Sequence, residues 1–246
     1  MNLATMLLVG INFCVLLDPW PWVRQADTYA EQKDYERAAS IYRLLITLGY
    51  ASGSLYYNLG VCSLAYNDIA EAVYYFRKAY EQEPWRWAYL KALQLARSYV
   101  PDRPPALPLR GRISLFMRRL ELVLWWCGWL AALAAHFRSG KKIAIAGLFL
   151  VAISLLAFAL EQYWYQQEEL TPWAVVRERC VMRSGNGESY PPVMHDGKPV
   201  ILYPGTEIYV LGERDNSWVC ISVPGNITGW VPKRLLLLAS EPIRWQ

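Results

Sequence analysis

The residue types that most often carry out chemistry are spaced here in ways that exclude most of it. Cys14, Cys62, Cys127, Cys180 and Cys220 form no C-x-x-C pair, and His136 and His195 lie far apart, so no metal-ligand set is legible. No nucleophile has a base at motif spacing, no G-x-x-x-x-G-K-[ST] phosphate loop occurs, and the carboxylates are spread rather than gathered near a histidine. The expectation is no catalytic residue, no metal and no cofactor. His136 lies beside Arg138 at the end of an apolar stretch, with no carboxylate in the next apolar stretch before Glu161, which argues against a proton path. Cys180 and Cys220 fall in one small C-terminal region, where they either pair in an oxidising compartment or stay two isolated buried thiols. The chemistry left is recognition, and it depends on the elements that position the side chains.

The chain has 246 residues, 54% of them hydrophobic and 19% charged, which excludes a disordered or disulfide-stapled chain. A net charge of +4 is too mild for a nucleic-acid-binding face, and no nucleic-acid partner is expected. The apolar residues are concentrated between about 120 and 160, with soluble-type sequence on both sides. The fold class expected is a multidomain membrane protein: all-α helical hairpins, a two-helix transmembrane hairpin, and a small all-β barrel.

Residues 1–18 contain an apolar stretch of signal-core length that ends at Asp18-Pro19, read as an export or anchor segment or as a buried N-terminal helix. Over residues 19–99, Trp22, Ala26, Asp34, Ala38, Tyr42 and Leu45 recur 34 residues later as Tyr56, Gly60, Asp68, Ala72, Phe76 and Ala79. Small residues at Gly60 and Ala72 let two helices cross closely, while Tyr56, Leu59, Phe76 and Ala79 form the stripes that meet there. Asn67-Asp68 supplies the turn, and Pro84 stops the second helix because it lacks an N–H. Residues 87–98 then predict a terminal helix that caps the stack.

Tyr56-x2-Leu59-Gly60, Ala72-x3-Phe76-x2-Ala79 and Pro84 resemble the tetratricopeptide repeat family. That resemblance implies a concave face, made by the first helix of each repeat, which holds a partner peptide or helix. Arg24, Asp27, Tyr57, Asn58 and Val61 fall on that face as the candidate partner-binding residues. Tyr57 and Val61 equally suit packing against a neighbouring repeat. With Arg24 the sole cation there, a carboxylate clamp is not supported.

Residues 100–119 are a Pro-rich spacer followed by a basic juxtamembrane segment. Residues 120–137 and 143–160 each have just the length to span a bilayer, and the short basic loop between them makes a hairpin. Tyr163, Trp164 and Tyr165 follow as an interfacial aromatic belt in the 161–170 linker. A hairpin returns both flanks to one side of the bilayer; basic residues on both sides leave the sidedness near a tie, which an export segment resolves outward.

Residues 171–240 change to short Val, Ile, Tyr and Trp runs separated by Gly, Pro, Asn and Asp, the pattern of a small β-barrel, with a short tail at 241–246. Trp218 is expected as its core plug, Gly229 as a close approach, and residues 189–200 as an inserted turn or hairpin around Asp196-Gly197. Tyr203-Pro204-Gly205, Ser217-Trp218-Val219 and Gly229-Trp230-Val231-Pro232 resemble the bacterial SH3 family. The resemblance implies cell-wall or peptide ligands, with Tyr190 and Tyr203 as a candidate ligand surface.

The order of export segment, short repeat array, Pro-rich linker, membrane hairpin and SH3-like domain resembles BatE-type proteins of the bacterial aerotolerance operon. That resemblance implies a non-enzymatic inner-membrane scaffold with its soluble domains outside the cytoplasm. It also implies protein partners, among them membrane proteins with von Willebrand-type A domains. A cell-wall sensor that couples SH3-ligand binding to partner binding is the alternative.

Overall fold

A computed structural model describes residues 18–102, 105–107, 172–214 and 217–239, with scattered helical positions between 123 and 159. Among the described residues five helices come first: α1 (Trp20–Glu31), α2 (Tyr35–Thr47), α3 (Gly53–Ala65), α4 (Ile69–Gln82) and α5 (Trp87–Ser98). Each packs on the next in chain order. The 34-residue period is visible in the backbone, since Lys33 (φ 64°) and Asn67 (φ 66°) both take the left-handed conformation before α2 and α4. The next residue caps the helix in each case: Asp34 accepts from Arg37 N at 3.3 Å, and Asp68 accepts from Glu71 N at 2.9 Å. Ser52 does the same for α3, accepting from Leu55 N at 3.3 Å.

Ala26, Ala38, Tyr42, Leu45, Leu59 and Cys62 form a closed core between the first two hairpins. Gly60 is required where α3 meets α4, because a Cβ there would stand 2.7 Å from the Phe76 ring. The expected terminal helix forms over its predicted span, with Leu90 and Leu93 buried.

A small antiparallel β-sheet domain follows. Its strands are β1 (Trp173–Val176), β2 (Cys180–Val181), β3 (Met194–His195), β4 (Lys198–Pro199), β5 (Ile201–Leu202), β6 (Glu207–Arg214), β7 (Trp218–Val223), β8 (Ile227–Pro232) and β9 (Leu236–Leu238). The main sheet runs β8-β7-β6-β1-β9, and β2-β5 and β3-β4 are separate pairs. The β3-β4 hairpin turns at Asp196 (φ 51°) and Gly197 (φ 76°), the two positive φ values of a type I′ turn at the predicted place.

The core of this domain is aliphatic, built from Ala174, Val176, Met182, Leu202, Ile208, Val210, Val219, Ile221 and Val231. Trp218, expected as its plug, is half-buried at the start of β7 instead, with Val219 and Ile221 filling the interior. Gly229 does permit a close approach, since a Cβ would stand 2.4 Å from Met182 Cγ and 2.9 Å from the Arg183 carbonyl.

The two regions are packed together. All four residues of β1 are buried, which a strand with one solvent face does not show. Ala174 and Val176 belong to the sheet core, while the alternating Trp173 and Val175 join Val73, Phe76, Leu93, Ala96, Val100 and Leu107 in a core shared with α4 and α5. The sheet thus covers the apolar side of the last hairpin and helix, the role a further helix plays in a longer stack.

Among the described residues no helix is long and apolar enough to cross a membrane. The spans expected over 120–160 lie largely outside the described residues, and residues 1–17 and the 161–170 linker lie wholly outside them. The described positions within that stretch, including Trp126, Trp129, Phe149, Leu155 and Leu156, are helical and exposed.

Candidate functional site

The helices sort the five candidate partner-binding residues into different environments. Arg24 on α1 is exposed, and Val61 on α3 is 39% exposed. Asp27 accepts a short hydrogen bond from the Tyr42 hydroxyl and another from Asn58 Nδ2 at 3.3 Å; Asn58 Nδ2 also lies 3.4 Å from the Tyr42 oxygen. Burial, reinforced by Asp27, pushes the Tyr42 hydroxyl far above its ordinary titration range, so it stays a donor. Asp27 and Asn58 therefore form a fixed polar floor between α1 and α3. The Tyr57 ring lies 5.0 Å from Tyr89 and 5.6 Å from Phe76, packed inward as a neighbour contact.

The same period extends the row. Asp27, Val61 and Leu95 occupy equivalent places on α1, α3 and α5, and Leu95 is 50% exposed. Leu95 was legible from the 34-residue offset alone, once α5 is read as a first helix and not only as a cap. An open surface with Arg24 at one end and two aliphatic side chains further along suits an extended or helical apolar segment.

The second arrangement lies between the helices and the sheet. Arg77 on α4 and Arg97 on α5 both reach Glu207 on β6, with Arg77 Nη1 2.9 Å from Oε1 and Arg97 Nη2 2.7 Å from Oε2. Arg77 and Glu207 are buried. The Arg77 guanidinium lies 4.3 Å from the centre of the Trp173 ring, and its Nε meets Glu81 Oε1 at 3.2 Å. Burial raises the Glu81 carboxyl and lowers the Lys78 ammonium. Lys78 Nζ donates to the Ala239 carbonyl at 2.8 Å and Tyr74 Oη to the Leu238 carbonyl at 3.1 Å, so α4 also holds the end of β9. These groups cross-link the helices to the sheet.

The third arrangement is an open cleft of about 530 Å³ in the β-sheet domain, lined by Glu188, Ser217, Trp218, Pro232, Lys233 and Arg234. Lys233 Nζ is held by buried Glu213 at 2.9 and 2.8 Å, while Arg234 is exposed. Tyr190 and Tyr203 do not line it. Tyr190 covers Gly185, its carbonyl accepting from Arg183 Nη1 at 2.9 Å, and the Tyr203 ring faces the Arg179 guanidinium at 5.7 Å. Cys180 and Cys220 are free buried thiols. Cys180 lies in the sheet core, whereas Cys220 alternates with Val219 and Ile221 and so points to the opposite face. Burial raises both thiols, Cys180 to about 11.

The architecture defined by these contacts is an array of helical hairpins with a β-sheet domain docked on its last two helices. No protein-family model matches the chain, and no match to its sequence was found among curated proteins.

Proposed function

We propose that this chain is a non-enzymatic, membrane-anchored scaffold of the BatE type. Its tetratricopeptide-like array recruits a protein partner along the first-helix face, and its SH3-like domain supplies a second contact, in an aerotolerance or envelope-stress complex. The observation that carries this reading is the docked β-sheet domain. It covers α4 and α5 on one side and leaves the row through Arg24, Val61 and Leu95 open. Two weak contacts on one tethered body gain from effective concentration. The half-buried Trp218 beside Pro232 and exposed Arg234 suits an extended peptide with an apolar side chain and a carboxylate. Exposed apolar side chains at helical positions between 123 and 159 support the anchoring hairpin.

The face is tested by Val61→Arg combined with Leu95→Arg, two exposed positions where the change leaves the core intact. The expected outcome is at least about tenfold less partner captured by cross-linking from native membranes, at an unchanged melting temperature. Undiminished capture removes the groove from the account. The shared core between helices and sheet also favours the coupled sensor as a second reading: a ligand in the Trp218 cleft then changes partner affinity, and a two-ligand titration with no change excludes it.

A further inference from the structure

The four connections between the five helices are short, so the helices alternate in direction. The starts of α1, α3 and α5 therefore share one rim of the array with the ends of α2 and α4. Gly53, at the start of α3, confirms the arrangement, because a Cβ there would stand 2.8 Å from Glu83 Oε1, just past α4.

The two rims differ sharply in character. The rim formed by the turns within each hairpin carries Glu31, Lys33, Asp34, Glu36 and Arg37, then Asp68 and Glu71. The opposite rim carries Trp20, Trp22, Leu44, Leu48, Trp85 and Trp87, between 49% and 65% exposed. Its turn at residues 48–52 has no charge, and Glu83 and Arg86 neutralise each other at 2.6 Å. Four exposed tryptophans with two leucines along one edge that carries few charges are costly against water. Indole rings, with an apolar body and one N–H donor, concentrate where hydrocarbon meets headgroups.

We infer that this tryptophan rim rests in the headgroup region of the lipid bilayer, so that the array stands on edge on the membrane. Two observations select lipid over another protein. Charge is denser on the far rim, whereas the tryptophan rim carries Asp18 and the mutually neutralising Glu83 and Arg86, and this difference orients the whole array on a planar surface as an amphipathic body. The chain also arrives at this rim from the apolar stretch at residues 3–17, which ends just before Asp18-Pro19-Trp20. The inference rests on the membrane-anchored reading above, and it adds that a partner must approach the first-helix face alongside the bilayer.

The test uses the full chain with Cys14 and Cys127 changed to Ser, reconstituted in phosphatidylcholine–phosphatidylglycerol vesicles. A nitroxide is attached at Leu48→Cys or, on the far rim, at Glu36→Cys, and its access to oxygen and to a water-soluble nickel chelate is measured. The expected oxygen-to-nickel ratio is at least about threefold higher at position 48 than at position 36. Changing Trp20, Trp22, Trp85 and Trp87 together to Ser should bring the two ratios together. Equal ratios in a parent chain that floats with the vesicles overturn the rim and leave the anchoring reading standing. A label at position 48 closed to both reagents means a contact with a second copy and also overturns it. A chain that does not float overturns both readings.

Discussion

At the residue scale, Gly60 and Arg77 show what a sequence reveals and conceals. Gly60 was legible, because a glycine on an apolar stripe facing a phenylalanine one repeat-helix away has a steric cause. Gly60→Ala should cost about 1–3 kcal/mol, read as a lower denaturation midpoint, since the Phe76 ring must move to admit a methyl. A neutral substitution would mean that α3 and α4 cross less closely. Arg77 was not legible. It follows Ala70 and Val73 on one helical stripe, where a cation reads as a side chain that reaches out to water. Its partner Glu207 is 130 residues away, and no local pattern records that pairing. Trp218 misled for a related reason: a tryptophan in a strand reads as core, but at the first position of β7 it has an open cleft on one side.

At the element scale, the hairpins were legible because period, turn and stop all agree within a short stretch of chain. Asp34 and Asp68, one period apart, each cap the second helix of a hairpin, and α5 ends before the prolines. Strand β1 holds the clearest missed signal. Trp173-Ala174-Val175-Val176 has no polar alternation, the mark of a strand buried on both faces, and an isolated small barrel offers only one. Its outer face is the dock. Trp173→Ala should therefore cost about 3–5 kcal/mol, measured by unfolding of the detergent-solubilised full chain, and should make the backbone amides of α4 exchange faster. Loss confined to the sheet, with α4 unaffected, would place the tryptophan in the sheet's own stability alone.

At the scale of the whole molecule, the helical array and the sheet domain are one packed body despite the long intervening segment. The shared core around Val73, Leu93, Trp173 and Val175 supplies the adhesion, and the Arg77–Glu207–Arg97 cluster sets the register. This placement gives the proposed scaffold two recognition surfaces at fixed separation instead of two modules on a flexible tether. The charged cluster also makes the arrangement specific, because any displaced docking leaves at least one charge buried without its partner.

A double-mutant cycle between Arg77→Met and Glu207→Gln tests that arrangement most directly, with stability measured by denaturant unfolding of the full chain. A docked body predicts that the two changes are coupled by at least about 2 kcal/mol, the double variant being far less damaged than the sum of the singles. Coupling within about 0.5 kcal/mol of zero would mean that helices and sheet act independently, and would contradict the account.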